Sequence, residues 1–143
     1  MKISPENFYT YLSIIKNIAG SKSFRHLYAK VGGKKTDILK NGRLSCAFFV
    51  SSILKIFGQI KNLHATVAGT EKDLKSSGWH KIKILKEGSV IIWEKINNHS
   101  HIGFYLGDNK AISNDSKSRA PEIHHYAYNG KRKIISVYSK NFS

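Results

Sequence analysis

Cys46 is the only cysteine in the chain, and it stands near the head of the apolar run Leu44-Ser45-Cys46-Ala47-Phe48-Phe49-Val50-Ser51-Ser52-Ile53-Leu54-Lys55-Ile56-Phe57, which Gly58 ends. That run predicts a helix over 45–58 with the thiol in its first turn. Unpaired backbone N–H groups and the positive end of the helix dipole favour thiolate there, and thiolate is the nucleophilic form. This expects a Cys46 pKa well below that of a free thiol. His101 opens a later strand-like run, His101-Ile102-Gly103-Phe104-Tyr105-Leu106-Gly107. An imidazole at neutral pH can take a thiol proton and return it to a leaving amine. A cysteine on a helix start and a histidine on a distant strand can therefore form a nucleophile–base pair that meets only in space. Against this stands the default for any lone cysteine, a small residue buried in the apolar stripe with Phe49, Val50, Ile53 and Phe57.

The elements that must hold the pair can be read along the chain. Ser4-Pro5 reads as a helix start, and Phe8, Tyr11, Leu12, Ile15 and Ile18 as its apolar stripe, giving an N-terminal helix within 1–20. Residues 21–44 read as an irregular connection with one turn of helix at most. Thr70-Glu71-Lys72-Asp73 resembles a capping box that opens a short helix ending at Gly78. From Trp79 the pattern turns to strands: Ser89–Glu94, His101–Leu106 with a turn at Gly107–Lys110, the return Lys110–Asn114, then Ile123–Tyr128. Asn129-Gly130 reads as a hairpin turn into a last strand over 131–139. Helices first and strands last predict an α+β fold, one domain over 1–143 with N-terminal helices packed on a C-terminal antiparallel sheet at 79–140.

Composition narrows the function classes. Hydrophobic residues make up 41%, with 7 Phe, 7 Tyr and 2 Trp, which suits a packed core rather than a disordered chain. One cysteine permits no internal disulfide. No apolar run approaches the roughly 20 residues of a membrane span. Met1–Asn7 lacks a charged leader followed by an apolar stretch, so a cytoplasmic protein is expected, with export by another route as the alternative. The net charge of +15 predicts attraction to an anionic polymer or surface. The 24 basic residues include only Arg25, Arg43, Arg119 and Arg132 as arginines and are scattered, which does not favour a dedicated reader of nucleic-acid bases.

Three blocks carry a family resemblance. Ser45-Cys46-Ala47-Phe48-Phe49-Val50 resembles the Asp-Cys-Ser-Gly-aromatic-Val block of the NlpC-type papain-like cysteine peptidases and amidases, relatives of the CHAP amidases. Gly88-Ser89-Val90-Ile91-Ile92-Trp93 resembles that family's Gly-Asp-Val-Val-Phe-Trp strand. His101-Ile102-Gly103-Phe104-Tyr105-Leu106-Gly107 resembles its His-Val-Gly-Ile-Tyr-Ile-Gly block. The chain departs from the pattern at Ser45 and Ser89, where the family has Asp. The resemblance implies a papain-like NlpC-type domain that cuts an amide bond in peptidoglycan stem peptides or a similar substrate. Cys46 would be the nucleophile and His101 the base. The third, orienting residue of the family lies on the return strand, where this chain offers Asn114 first and Ser113 as the alternative, with His124 and His125 as further candidates if the loop folds back.

The remaining histidines have plainer readings. His26, His64 and His80 read as surface or partly satisfied core residues. His99 and His101 share one strand face at a metal-ligand spacing, but a single cysteine and no nearby acidic cluster argue against zinc, and no metal or cofactor is expected. Trp79 and Trp93 read as core, and Tyr105, Tyr126 and Tyr128 as core or a groove wall. The expected partner is a peptide or amide substrate, with peptidoglycan or another anionic polymer as its source, and the protein itself is expected to be a monomer. Two other classes remain open: a non-catalytic basic module for nucleic acid or anionic polymer, and a thiol acyltransferase built on the same pair.

Overall fold

Phe8, Tyr11, Leu12 and Ile15 recur at helical spacing, and the first helix, α1, runs over Asn7–Asn17 with Tyr11, Leu12 and Ile15 buried. Glu6 rather than Ser4 occupies its N-cap, without a side-chain bond. The computed structural model describes residues 1–142.

The segment expected to be irregular contains a hairpin, β1 (Tyr28–Val31) with β2 (Lys34–Asp37). Gly32 and Gly33 both take positive φ at its turn, which a two-residue connection between twisted strands requires. Its strands are mostly exposed and lysine-rich, so they lack the apolar alternation by which strands are recognised. Helix α2 spans Cys46–Ile56 and α3 spans Val67–Ser76. Helix α3 starts a turn earlier than the Thr70 box implied: Thr66 caps it, its Oγ1 accepting the Gly69 N–H at 3.0 Å. Asp73 is drawn elsewhere, its carboxylate accepting the Lys61 and Asn62 N–H groups and the Ser77 hydroxyl and lying 2.7 Å from His64 Nε2.

The remaining strands are β3 (His80–Lys81), β4 (Val90–Ile96), β5 (His99–Gly107), β6 (Lys110–Asp115), β7 (Ala120–His125) and β8 (Ile134–Ser139). They form one sheet in the order β3-β8-β4-β5-β6-β7, and the pairings are antiparallel. The architecture is α+β, with three helices among the described residues. Asn97-Asn98 and Asp108-Asn109, all at positive φ, close the β4–β5 and β5–β6 hairpins.

Asn129-Gly130 does not make the expected hairpin. It has the positive φ values of such a turn, but it lies in a single 3-10 turn, Tyr128–Gly130, that begins a crossover. The crossover carries the chain from β7 at one edge to β8, between β3 and β4. A turn signal specifies local dihedrals, while β8 finds its partner through long-range pairing.

Alternation along β5 divides the core. Ile102, Phe104 and Leu106 join Phe49, Val50, Ile53 and Leu54 of α2 in the main apolar cluster. On the opposite face Ile91, Trp93 and Ala111 form a smaller cluster beneath Tyr105, Tyr126, Tyr128 and Ile134. Gly103 is required where these layers close up. A Cβ there would strike the Ile112 carbonyl oxygen and come within 2.8 Å of Ser113 Cβ and 3.1 Å of the Trp93 ring. No helix among the described residues is long and apolar enough to cross a membrane.

Candidate active site

Cys46 is the first residue of α2, and Ser45 its N-cap. The Phe49 N–H is bonded to the Ser45 carbonyl at 2.9 Å, so the N–H groups that precede it in the helix have no intrahelical acceptor. The Ser45 hydroxyl, where the resembled pattern has Asp, is buried without a partner and does not cap the helix. Ser89, the other departure, uses its hydroxyl locally, donating to the Lys86 carbonyl at 2.6 Å.

Cys46 is half-buried and lines a cavity of about 990 Å³ together with His101, Ser113, His124, Tyr128 and Arg132. The cavity lies where the start of α2 meets the β4–β5 turn and the end of β6. The backbone N–H groups of Ile102, one residue along β5 from His101, of Ala47 and of Cys46 itself favour the thiolate. Even so, burial outweighs these donors and the nearby Arg132 charge, and it raises the thiol pKa above its ordinary value. The low pKa expected from the helix start is not what the resting site has, because the dipole acts on a sulfur that has lost much of its water.

His101 is paired across the sheet with Trp93, and the two rings pack with centroids 5.2 Å apart. Its Nε2 lies 2.8 Å from Ser113 Oγ. Burial first, then the Arg132 charge and His124, depress the His101 pKa to about 3. At neutral pH the thiol and the imidazole that line this cavity are therefore both uncharged.

Of the two candidates on the return strand, Ser113 meets the ring. Asn114 points away: its side-chain N–H donates to the Gly42 carbonyl at 2.8 Å, and its Oδ1 is buried without a partner. The reason is alternation, since neighbours on β6 face opposite sides and Ser113, opposite Gly103, shares the His101 face. His124 also reaches the site, with Nε2 2.7 Å from Ser113 Oγ. His125 does not; its Nδ1 accepts the Ala127 and Asn129 N–H groups.

Three further residues shape the site. Trp93, read as core, is almost wholly buried, with its indole N–H donating to the Tyr126 carbonyl at 2.7 Å, yet it also forms the wall behind His101. Tyr128 places its hydroxyl 3.0 Å from Ser113 Oγ. Arg132 sits in the crossover, its Nε and Nη2 donating to the Glu94 and His99 carbonyls at 3.0 and 2.9 Å. In the sequence it is one of a basic triplet, and only the crossover brings it to the thiol. No group of three or more His, Cys, Asp or Glu gathers as metal ligands among the described residues. Compared with known proteins, the chain matches no family model and no curated protein.

Proposed function

We propose that the protein is a cysteine-dependent amide hydrolase of the NlpC-type papain-like kind, acting on peptidoglycan stem peptides or a similar amide. What supports this is the convergence on one cavity of a thiol at a helix start, an imidazole on the sheet and a hydroxyl at the ring's Nε2. With Nε2 engaged by Ser113, Nδ1 is the nitrogen left for the thiol proton.

Because both partners rest uncharged, attack and proton transfer occur together rather than from a preformed ion pair. The thiol proton moves to His101 Nδ1 as the S–C bond forms, and the backbone N–H of Cys46 steadies the oxyanion. The C–N bond then breaks and Nδ1 gives its proton to the leaving amine. Water, deprotonated by the same nitrogen, hydrolyses the thioester and returns the thiol. Arg132 stabilises negative charge developing at sulfur and disfavours a resting imidazolium. Ser113 holds the ring.

Incubation with soluble stem peptides and mass spectrometry of the products tests this reading. Wild type should cut an amide bond, while Cys46→Ser and His101→Ala should each abolish cleavage and leave the fold intact. Turnover by Cys46→Ser at the wild-type rate would refute it. Transfer to an added amine in place of hydrolysis would make the protein an acyltransferase. The +15 charge favours a second reading, a non-catalytic binder of anionic polymer. That reading requires salt-sensitive polymer binding with no peptide cut by any variant.

A further inference from the structure

Ser113 Oγ has three polar neighbours: His101 Nε2 at 2.8 Å, His124 Nε2 at 2.7 Å and the Tyr128 hydroxyl at 3.0 Å. A hydroxyl has one proton to give and two lone pairs to offer, so the three contacts can be assigned. The assignment starts at the far end. His124 Nδ1 lies 2.8 Å from the His125 carbonyl, which can only accept, so Nδ1 carries the proton. Burial lowers the His124 pKa, and the neutral ring then has a bare Nε2 that must receive a hydrogen bond. Ser113 is the neighbour able to supply it. Having given its proton to His124, Ser113 can only accept from the other two, so Tyr128 donates and His101 donates through Nε2–H. A neutral His101 with its proton on Nε2 has its lone pair on Nδ1.

We propose that His124, acting through Ser113, is the positioning residue that holds His101 in the tautomer whose Nδ1 can take a proton. The inference rests on the reading of His101 as the base, but its own measurement does not. The surroundings hold this chain in place. The Tyr128 ring stacks on His124 with centroids 4.1 Å apart and 15° between planes. Tyr128 is kept at φ 52°, a backbone conformation costly for a bulky residue and one that persists where packing over-determines it. Trp93 closes the group, with its ring 5.6 Å from both His124 and Tyr128. His124 lies opposite Ala111 on β6, next to the Ser113–Glu122 pair, so the sheet register delivers it to the Ser113 side.

The test is histidine nitrogen NMR on the full chain at pH 7. Wild type should show opposite tautomers, His101 with its proton on Nε2 and His124 with its proton on Nδ1. His124→Phe keeps an aromatic ring against Tyr128 but removes the acceptor, so the Ser113 hydroxyl can turn and donate to His101. The His101 proton should then shift toward Nδ1, and reaction of Cys46 with an acyl probe should slow by at least about tenfold, as expected for an imidazole in the wrong tautomer. Tyr128→Phe removes only a donor to Ser113 and should leave the tautomer unchanged. A wild-type His101 protonated on Nδ1 would overturn the proposal even if His124→Phe failed to fold, as would an unchanged tautomer in a folded His124→Phe. Acylation of Cys46 indifferent to His101→Ala would instead overturn the hydrolase reading, so the two failures are distinguishable.

Discussion

A thiol and an imidazole that have lost most of their water each resist charge, and at Cys46 and His101 that resistance has a measurable signature. Reaction of Cys46 with a small neutral alkylating agent should be slow at pH 7 and climb into the alkaline range, because burial raises the thiol pKa. A rate that levels off in mildly acidic solution would mean a thiolate–imidazolium pair and contradict the uncharged resting site. The two neighbours on β6 should differ in their effect on the chemistry. Ser113→Ala removes the hydroxyl shared by His101, His124 and Tyr128 and should lower turnover sharply, with a loss of stability as well because its partners are left unsatisfied. Asn114→Ala leaves the buried Gly42 carbonyl without its donor, a loss of about 1–3 kcal/mol. It should be read in denaturant unfolding, with the chemistry less affected.

Helix starts and strand contacts carry predictions of their own. Thr66→Ala removes a cap that accepts the Gly69 N–H and should cost about 1 kcal/mol. Ser45→Ala should cost much less than a usual cap, since its hydroxyl makes no bond; thermal melts of the two variants side by side would show the difference. Gly103→Ala is the severe case. Its methyl would collide with the Ile112 carbonyl and crowd Ser113 and Trp93, pushing β5 from β6. Overpacking of this kind costs about 1–3 kcal/mol, and it would also separate His101 from Ser113, so stability and activity should fall together.

Charge and pH act on the molecule as a whole. The His101 pKa falls from 6.5 to about 3 on folding, so between those values the unfolded chain binds a proton that the folded one refuses. Stability at this group is full above the unfolded value and declines as pH drops toward 3. Asp37 and Asp73 act lower down. Burial alone would raise them, but hydrogen bonds from His26 and His64 and from backbone N–H groups bring each to about 2. Their contribution is present above the ordinary carboxylate pKa and is lost as pH falls through about 2. Denaturant unfolding against pH should show a loss beginning below about pH 6.5 and a second in strong acid, and His101→Asn should flatten the first. The +15 charge belongs to the same scale. Added salt should weaken binding to an anionic wall polymer while leaving cleavage of a small soluble peptide nearly unchanged, because surface charges are screened over about 8 Å and buried contacts far less.

Local physics was enough to read much of this chain. The apolar run behind Cys46 forms α2 with the thiol at its first residue, and the β-branched and aromatic runs at Val90 and His101 form adjacent strands. Asp108-Asn109 turns between β5 and β6 because short polar residues tolerate positive φ. Where long-range contacts compete with local signals, the local signals lose. Asn129-Gly130 has the dihedrals of a hairpin, yet β8 pairs with β4 and β3, and that crossover delivers Arg132 to the β4–β5 hairpin. Which of Ser113 and Asn114 faces His101 is a matter of one residue along a strand, which reverses the face, so only the register of β6 against β5 fixes it. The direction of the Cys46 pKa went the same way. A helix dipole can be anticipated from a helix start, whereas desolvation depends on what covers the sulfur, and the cover comes from residues far away in the chain.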